Sequence, residues 1–193
     1  MHNKDIDTYY PQSQTDWRQW LDENHLSRQS VWLTFYTKKS NVPSLSWSEA
    51  VDEALCFGWI DSTRKKINDI SFIQFFAKRK PKSNWSKINK EKNQQLIDTK
   101  RMTKQGYESV EIAKKNGYWT ILDEIEELII PNDLEIAFEK HTGSKDYFLS
   151  LSKSTRKIIL GWIVLVRKPE TRQKRIAEVV QSAALNLKPS HLR

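Results

Sequence analysis

The sequence predicts an α+β protein: a small antiparallel sheet with a hairpin packed by helices, then a small all-helical C-terminal unit. Three observations carry this. In Ser30–Tyr36, Val31, Leu33 and Phe35 alternate with Trp32, Thr34 and Tyr36, which is the period of a strand. Two β-rich runs, 59–67 and 70–77, flank the pair Asn68-Asp69 as the arms of a hairpin would. Beyond residue 130 the apolar spacing is helical, and it ends on a stripe of Ile176, Val179, Val180, Ala183, Ala184 and Leu187.

Taken in order, residues 1–14 are polar and read as loosely ordered. Thr15 is placed to cap a short helix with Trp17, Trp20 and Leu21 on one face. After the strand at 30–36, Ser46 and Glu49 form a capping box, and Gly58 can end the following helix in a left-handed conformation. The hairpin then sets Asp61 opposite Phe76 if its turn has two residues. Ser86 opens a helix running to about Lys100, and Thr103 opens another to Asn116, closed by Gly117. Six carboxylates and no cation stand between Asp123 and Glu135. That shift in charge divides an N-terminal unit, 15–120, from a helical unit, 121–190. In the second unit Ser154 precedes a helix that is nearly all apolar from Ile158 to Val166, and Pro169 opens the last one.

At 193 residues the chain can build one domain with a sizeable core, or a medium domain plus a small helical one. A net charge of +8 and a pI near 9.5 favour acidic partners: nucleic acid, phosphorylated metabolites, anionic lipid or an acidic protein. The single cysteine, Cys56, excludes an internal disulfide and suits a reducing compartment. Four scattered histidines and one cysteine do not make a zinc site, and no cofactor motif is visible. The N-terminus lacks the apolar core of a secretory signal, and Ile158–Val166 is too short to cross a bilayer. A cytoplasmic location is therefore expected.

The chemistry-bearing residues concentrate between Ala54 and Asn89. In the hairpin register Asp61 shares a face with Trp59, Ile67, Ile70, Phe72 and Phe76. A carboxylate there needs a partner such as an arginine, or a raised pKa. Structurally it holds an ion pair or a hydrogen bond to a helix end; in an enzyme it would be the general acid or base. No catalytic residue is otherwise assigned. The run Lys78-Arg79-Lys80-Pro81-Lys82-Ser83-Asn84-Trp85-Ser86 leads a basic loop into a helix start, where cations and free N–H groups meet. Asn89 adds a donor and Trp85 a stacking surface. Structurally the same run is a solvated loop whose serine caps a helix. Arg172 and Arg175, three apart, can grip phosphate, nucleic acid or the acidic stretch 123–135, the last being simple docking within the chain. Cys56, in a helix C-terminal turn, reads as an inert buried thiol.

The segments ALCFGWID (54–61), PKSNWSKIN (81–89), RMTKQGYESVEIAKKNGYW (101–119) and IPNDL (130–134) with WIVLVRKPETRQKRI (162–176) resemble the bacterial YdeI/OmpD-associated, or bacteriocin-protection, family over roughly residues 15–188. The resemblance implies a bacterial cytoplasmic protein linked to bacteriocin or envelope-stress resistance, with no established reaction. It carries over Gly58, Trp59, Ile60, Asp61, Arg64, Arg79, Trp85, Ser86 and Asn89, with Thr171, Arg172 and Arg175. Ser62 departs from a common glycine, and Lys82 and Asn84 depart from common arginines, which weakens a clamp made of guanidinium forks.

The leading expectation is a protein that binds an anionic ligand or partner between the hairpin and the Ser86 helix start. Trp59, Asp61, Arg64, Arg79, Trp85, Ser86 and Asn89 form that site, with Arg172 and Arg175 as a further anion contact. The rivals are an enzyme built on Asp61 and sequence-tolerant nucleic-acid binding by the basic clusters 64–66, 78–92 and 156–175. Against the last, no helix-turn-helix, RNA-binding aromatic motif or zinc finger is present.

Overall fold

The structure, a computed structural model, describes residues 8–192 and divides into two compact units between Trp119 and Thr120. The first unit carries a four-stranded mixed sheet in the order β1-β2-β4-β3. Strands β2 (Ser30–Tyr36), β3 (Trp59–Lys66) and β4 (Ser71–Lys78) are antiparallel neighbours, and β1 (Thr8–Tyr9) pairs parallel with β2. The fold class is α+β, but the sheet is mixed because β1 forms in a segment read as loosely ordered. Aromatic packing holds β1 in place: Tyr9 stacks on Trp20 at 5.6 Å, and Trp20 on Trp17 at 5.2 Å. The remainder of the loosely ordered segment, residues 1–7, lies outside the described residues.

Helix α1 (Gln14–Asn24) is capped by Ser13, whose Oγ accepts from the Asp16 amide at 3.1 Å; Thr15 sits inside the first turn. Helix α2 (Trp47–Cys56) has the complete Ser46–Glu49 capping box, and Gly58 follows it at φ +71°. Helices α3 (Lys87–Asp98) and α4 (Lys104–Lys115) start at Ser86 and Thr103, whose hydroxyls accept from Asn89 and Gly106. Trp17, Leu21, Leu33, Phe35, Leu55, Trp59, Phe76 and Trp85 form the fully buried centre of this unit.

The hairpin corrects one expectation. Its connection is four residues, 67–70, because the amides of both Ile67 and Asn68 donate to the Ser71 carbonyl. Ile67 and Ile70 stand out in solvent at 55% and 42% exposure, so they do not form the facing pair of a two-residue turn. A bulge between Asp61 and Arg64 absorbs the one-residue offset, and Asp61 still pairs with Phe76.

Helix α4 is locked against the end of α2. The Thr103 amide and hydroxyl both donate to the Cys56 carbonyl, at 3.1 and 2.6 Å. A Cβ at Gly106 would overlap that carbonyl and the Met102 sulfur. This close approach sets the face of α4 against Gly58, where a Cβ would meet the Gln105 carbonyl at 3.0 Å.

The second unit contains α5 (Asp123–Glu126), α6 (Asn132–Glu139), α7 (Ser144–Ser150), α8 (Lys153–Val164) and α9 (Pro169–Ala184). Its core is Ile125, Leu134, Phe138, Phe148, Ile159, Leu160, Ile163, Ile176, Val179 and Val180. Ser152, not Ser154, caps α8, accepting from the Thr155 amide. Ala184 and Leu187 leave the predicted stripe for solvent, because α9 ends at Ala184. No helix among the described residues is long and apolar enough to cross a membrane.

Candidate functional site

Arg79 is the first residue after β4, and its amide donates to the Gly58 carbonyl at 2.9 Å, which fixes it beside the α2–β3 turn. The loop that follows folds back over it. Lys80 and Ser83 bond each other through backbone and hydroxyl, and the Asn116 side-chain amide holds the Pro81 carbonyl at 2.5 Å. The guanidinium carbon lies 3.7 Å from the centre of the Trp85 ring, and Nη1 donates to the Asn84 carbonyl at 2.8 Å. Trp85 is buried and packs on Trp119 at 4.9 Å. A guanidinium over an indole gains cation–π attraction, strengthened where water is excluded.

The remaining donors of this group, Nε and Nη2, are buried with no acceptor in the protein. Burial holds the Arg79 pKa down at about 10, and the negative charge of Asp61 opposes that shift. An arginine in this state has donors that the protein leaves unanswered.

Arg79 lines a cavity of about 220 Å³. His25 and Leu26 from the end of α1 and Phe57 and Gly58 from the α2–β3 turn form one side. Lys78, Lys80 and Pro81 continue the wall from Arg79, and Gln105, Glu108, Ser109 and Ile112 of α4 close it. These last four are spaced i, i+3, i+4 and i+7, so they form one helix face. The His25 Nε2 is also buried without a partner, while its Nδ1 contacts the Leu21 carbonyl at 2.8 Å. The lining thus combines cations and amide or hydroxyl groups with an apolar floor, and it carries a single carboxylate, Glu108.

The predicted site residues divide. Arg79 and Trp85 come together as one stack. Trp59 is fully buried against Trp20 at 5.9 Å and is a core residue. Asp61 does not line the cavity. Its Oδ2 accepts from the Trp47 indole at 2.8 Å and from the Gln74 amide at 3.0 Å, so neutral N–H donors, not an arginine, satisfy it. Arg64 lies 3.6 Å over Phe72, away from the cavity lining. Ser86 spends its hydroxyl on the Asn89 amide, and the Asn89 carbonyl accepts from Asn93. The cavity beside Arg79 therefore faces α4, and Trp59, Asp61, Arg64, Trp85, Ser86 and Asn89 are not in its lining.

In the second unit Arg172 grips Asp133 through Nε and Nη2, at 2.6 and 2.8 Å, and gives Nη1 to the Ile163 carbonyl. Arg175 donates to the Trp162 carbonyl at 2.5 Å and lies 4.8 Å over the Trp162 ring. Both are engaged within the unit, Arg172 with the acidic stretch. Sequence reasoning missed the α4 face, although the polar and apolar residues at 105, 108, 109 and 112 beside Gly106 were the available signal. No group of three or more metal-binding side chains occurs among the described residues.

Fold and cavity define a class of protein: an α+β module with a basic, indole-backed cavity, linked to a helical unit. The chain belongs to the family defined by a domain of unknown function, DUF8412, whose model matches residues 9–109. Residues 127–186 match the model described as Bacteriocin-protection, YdeI or OmpD-Associated. The resemblance to that second family is thus shown for the helical unit, and a different model covers the sheet-containing unit. No curated protein and no solved structure gives a significant match.

Proposed function

We propose that this is a bacteriocin-protection-related protein of the bacterial cytoplasm whose N-terminal unit binds a small organic anion in the Arg79 cavity. The observation that carries the reading is a buried guanidinium, braced on Trp85, with two N–H directions unanswered by the protein. A carboxylate or phosphate oxygen supplies the missing acceptors in the forked geometry that arginine favours. Phe57, Leu26 and Ile112 suit an apolar body, and Ser109 and Gln105 offer hydrogen bonds. Glu108 in the same wall disfavours polyanions, so a singly charged ligand fits better than a triphosphate. The role is recognition: Asp61, the acid or base that the hairpin register suggests, is committed to Trp47 and Gln74 outside the cavity.

Calorimetric titration of wild type and Arg79→Met against a panel of monocarboxylates and phosphorylated metabolites tests this. Methionine keeps the apolar stem and removes the charge. The expected result is binding by at least one singly charged member, lost in Arg79→Met. Equal affinity in both proteins, or no ligand across the panel, contradicts it.

A further inference from the structure

A second surface of the N-terminal unit shares no residue with the cavity. Directly opposed residues in a sheet lie on one face, and the register places Trp32 against Phe75, Thr34 against Ile73, and Lys65 against Ile73. Tyr36, two residues beyond Thr34, lies on the same side. This is the face away from Val31, Leu33 and Phe35, which enter the core; Ile73 is buried yet is no part of that core cluster. Where one face of an antiparallel sheet meets water, it is expected to be polar. Here it carries Trp32, Phe75 and Tyr36, all half-buried. Trp32 and Phe75 sit 5.0 Å apart, and Tyr36 is braced edge-on by Tyr10 at 5.1 Å. The Lys65 ammonium lies 4.7 Å from the Trp32 ring, and Lys38 and Lys39 stand exposed just past Tyr36. None of the face residues named is acidic.

We propose that this face is a platform for single-stranded nucleic acid, with bases stacked on Trp32, Phe75 and Tyr36 and phosphates against Lys65, Lys38 and Lys39. Charge complementarity selects the occupant: aromatic planes interleaved with cations, on a chain of net charge +8, match unpaired bases on a phosphate backbone. A duplex keeps its base faces stacked internally and cannot use the rings. The hydroxyls of Thr34 and Ser71 are too few to read base edges, so binding is sequence-tolerant.

Fluorescence anisotropy of a labelled mixed-sequence 15-nucleotide DNA strand, with the full chain, tests the proposal. Wild type should bind the single strand more tightly than the matching duplex, with a log–log salt slope of about −2 for three phosphate contacts. Trp32→Ala should weaken binding about tenfold, and Trp32→Phe should restore most of it. Lys65→Glu, a surface change that leaves the packing alone, should weaken binding and flatten the salt slope. Absence of binding at low salt, equal affinity for duplex, or full affinity in both Trp32→Ala and Lys65→Glu would overturn it. So would a self-association that Trp32→Ala abolishes while no DNA binds, since the face would then join two copies of the chain.

Discussion

Arg79 and Glu53 are both buried charges, and their surroundings give them opposite roles. Glu53, 2% exposed, accepts from Arg18 at 2.7 Å and from Arg101, so it is satisfied from both sides. Glu53→Ala should cost about 2 kcal/mol in urea unfolding. That is below the roughly 3–5 kcal/mol of a fully sealed pair, because both arginines remain more than one third exposed. Arg79 has no carboxylate in contact, so Arg79→Met should leave stability unchanged or raise it by about 1 kcal/mol while removing anion binding. A loss of stability comparable to that of Glu53→Ala would mean the guanidinium is a structural group. Cys56 is a simpler case. Burial, aided by the negative charge of Glu53, pushes its thiol up to about 11. A thiol-reactive dye at pH 8 should therefore leave the native protein unlabelled and react once after denaturation.

At the scale of elements, the closest constraint is the α2–α4 contact. Gly106→Ala drives a methyl into the Cys56 carbonyl, and overpacking of this kind should cost about 2–3 kcal/mol, visible as a lowered Tm. Because α4 supplies one wall of the cavity, the same substitution should also weaken anion binding. Most elements are legible in the sequence because their signals are local: the Ser46–Glu49 box, the serine and threonine caps of α3 and α4, the strand alternation at 30–36 and Pro169 at the start of α9 all act within a few residues. The features that escape a sequence reading are non-local. β1 exists because Tyr9 finds Trp20, a contact with no signature in a polar segment. The bulge at 61–64 and the four-residue turn compensate each other, so the Asp61–Phe76 pairing follows from a two-residue turn that does not form. The cavity needs α1, the α2–β3 turn and α4 at once, and of its lining residues only Gly58 and the run 78–81 announce themselves in the sequence.

The whole chain joins two units that carry different family models, 9–109 and 127–186, and each has its own core. Their responses to acid should differ. In the helical unit the Arg172 hydrogen bonds hold the Asp133 pKa below the usual carboxylate range. A lowered carboxylate pKa contributes stability above the unfolded value, about 3.9, and that stability is lost as pH falls through the folded value. Arg172→Ala should therefore cost about 0.5–1 kcal/mol at pH 7, since Asp133 is nearly half exposed. Urea melts of that variant should also show a flatter dependence between pH 5 and pH 2 than wild type. The role assigned to the sheet-containing unit is tested most directly by nuclear magnetic resonance of the arginine Nε–H groups during titration with a bound monoanion. The Arg79 resonance should shift downfield and gain protection from solvent exchange as the anion saturates, while Arg64, over Phe72, stays in place. An anion that binds while the Arg79 signal does not move would contradict the assignment of the cavity.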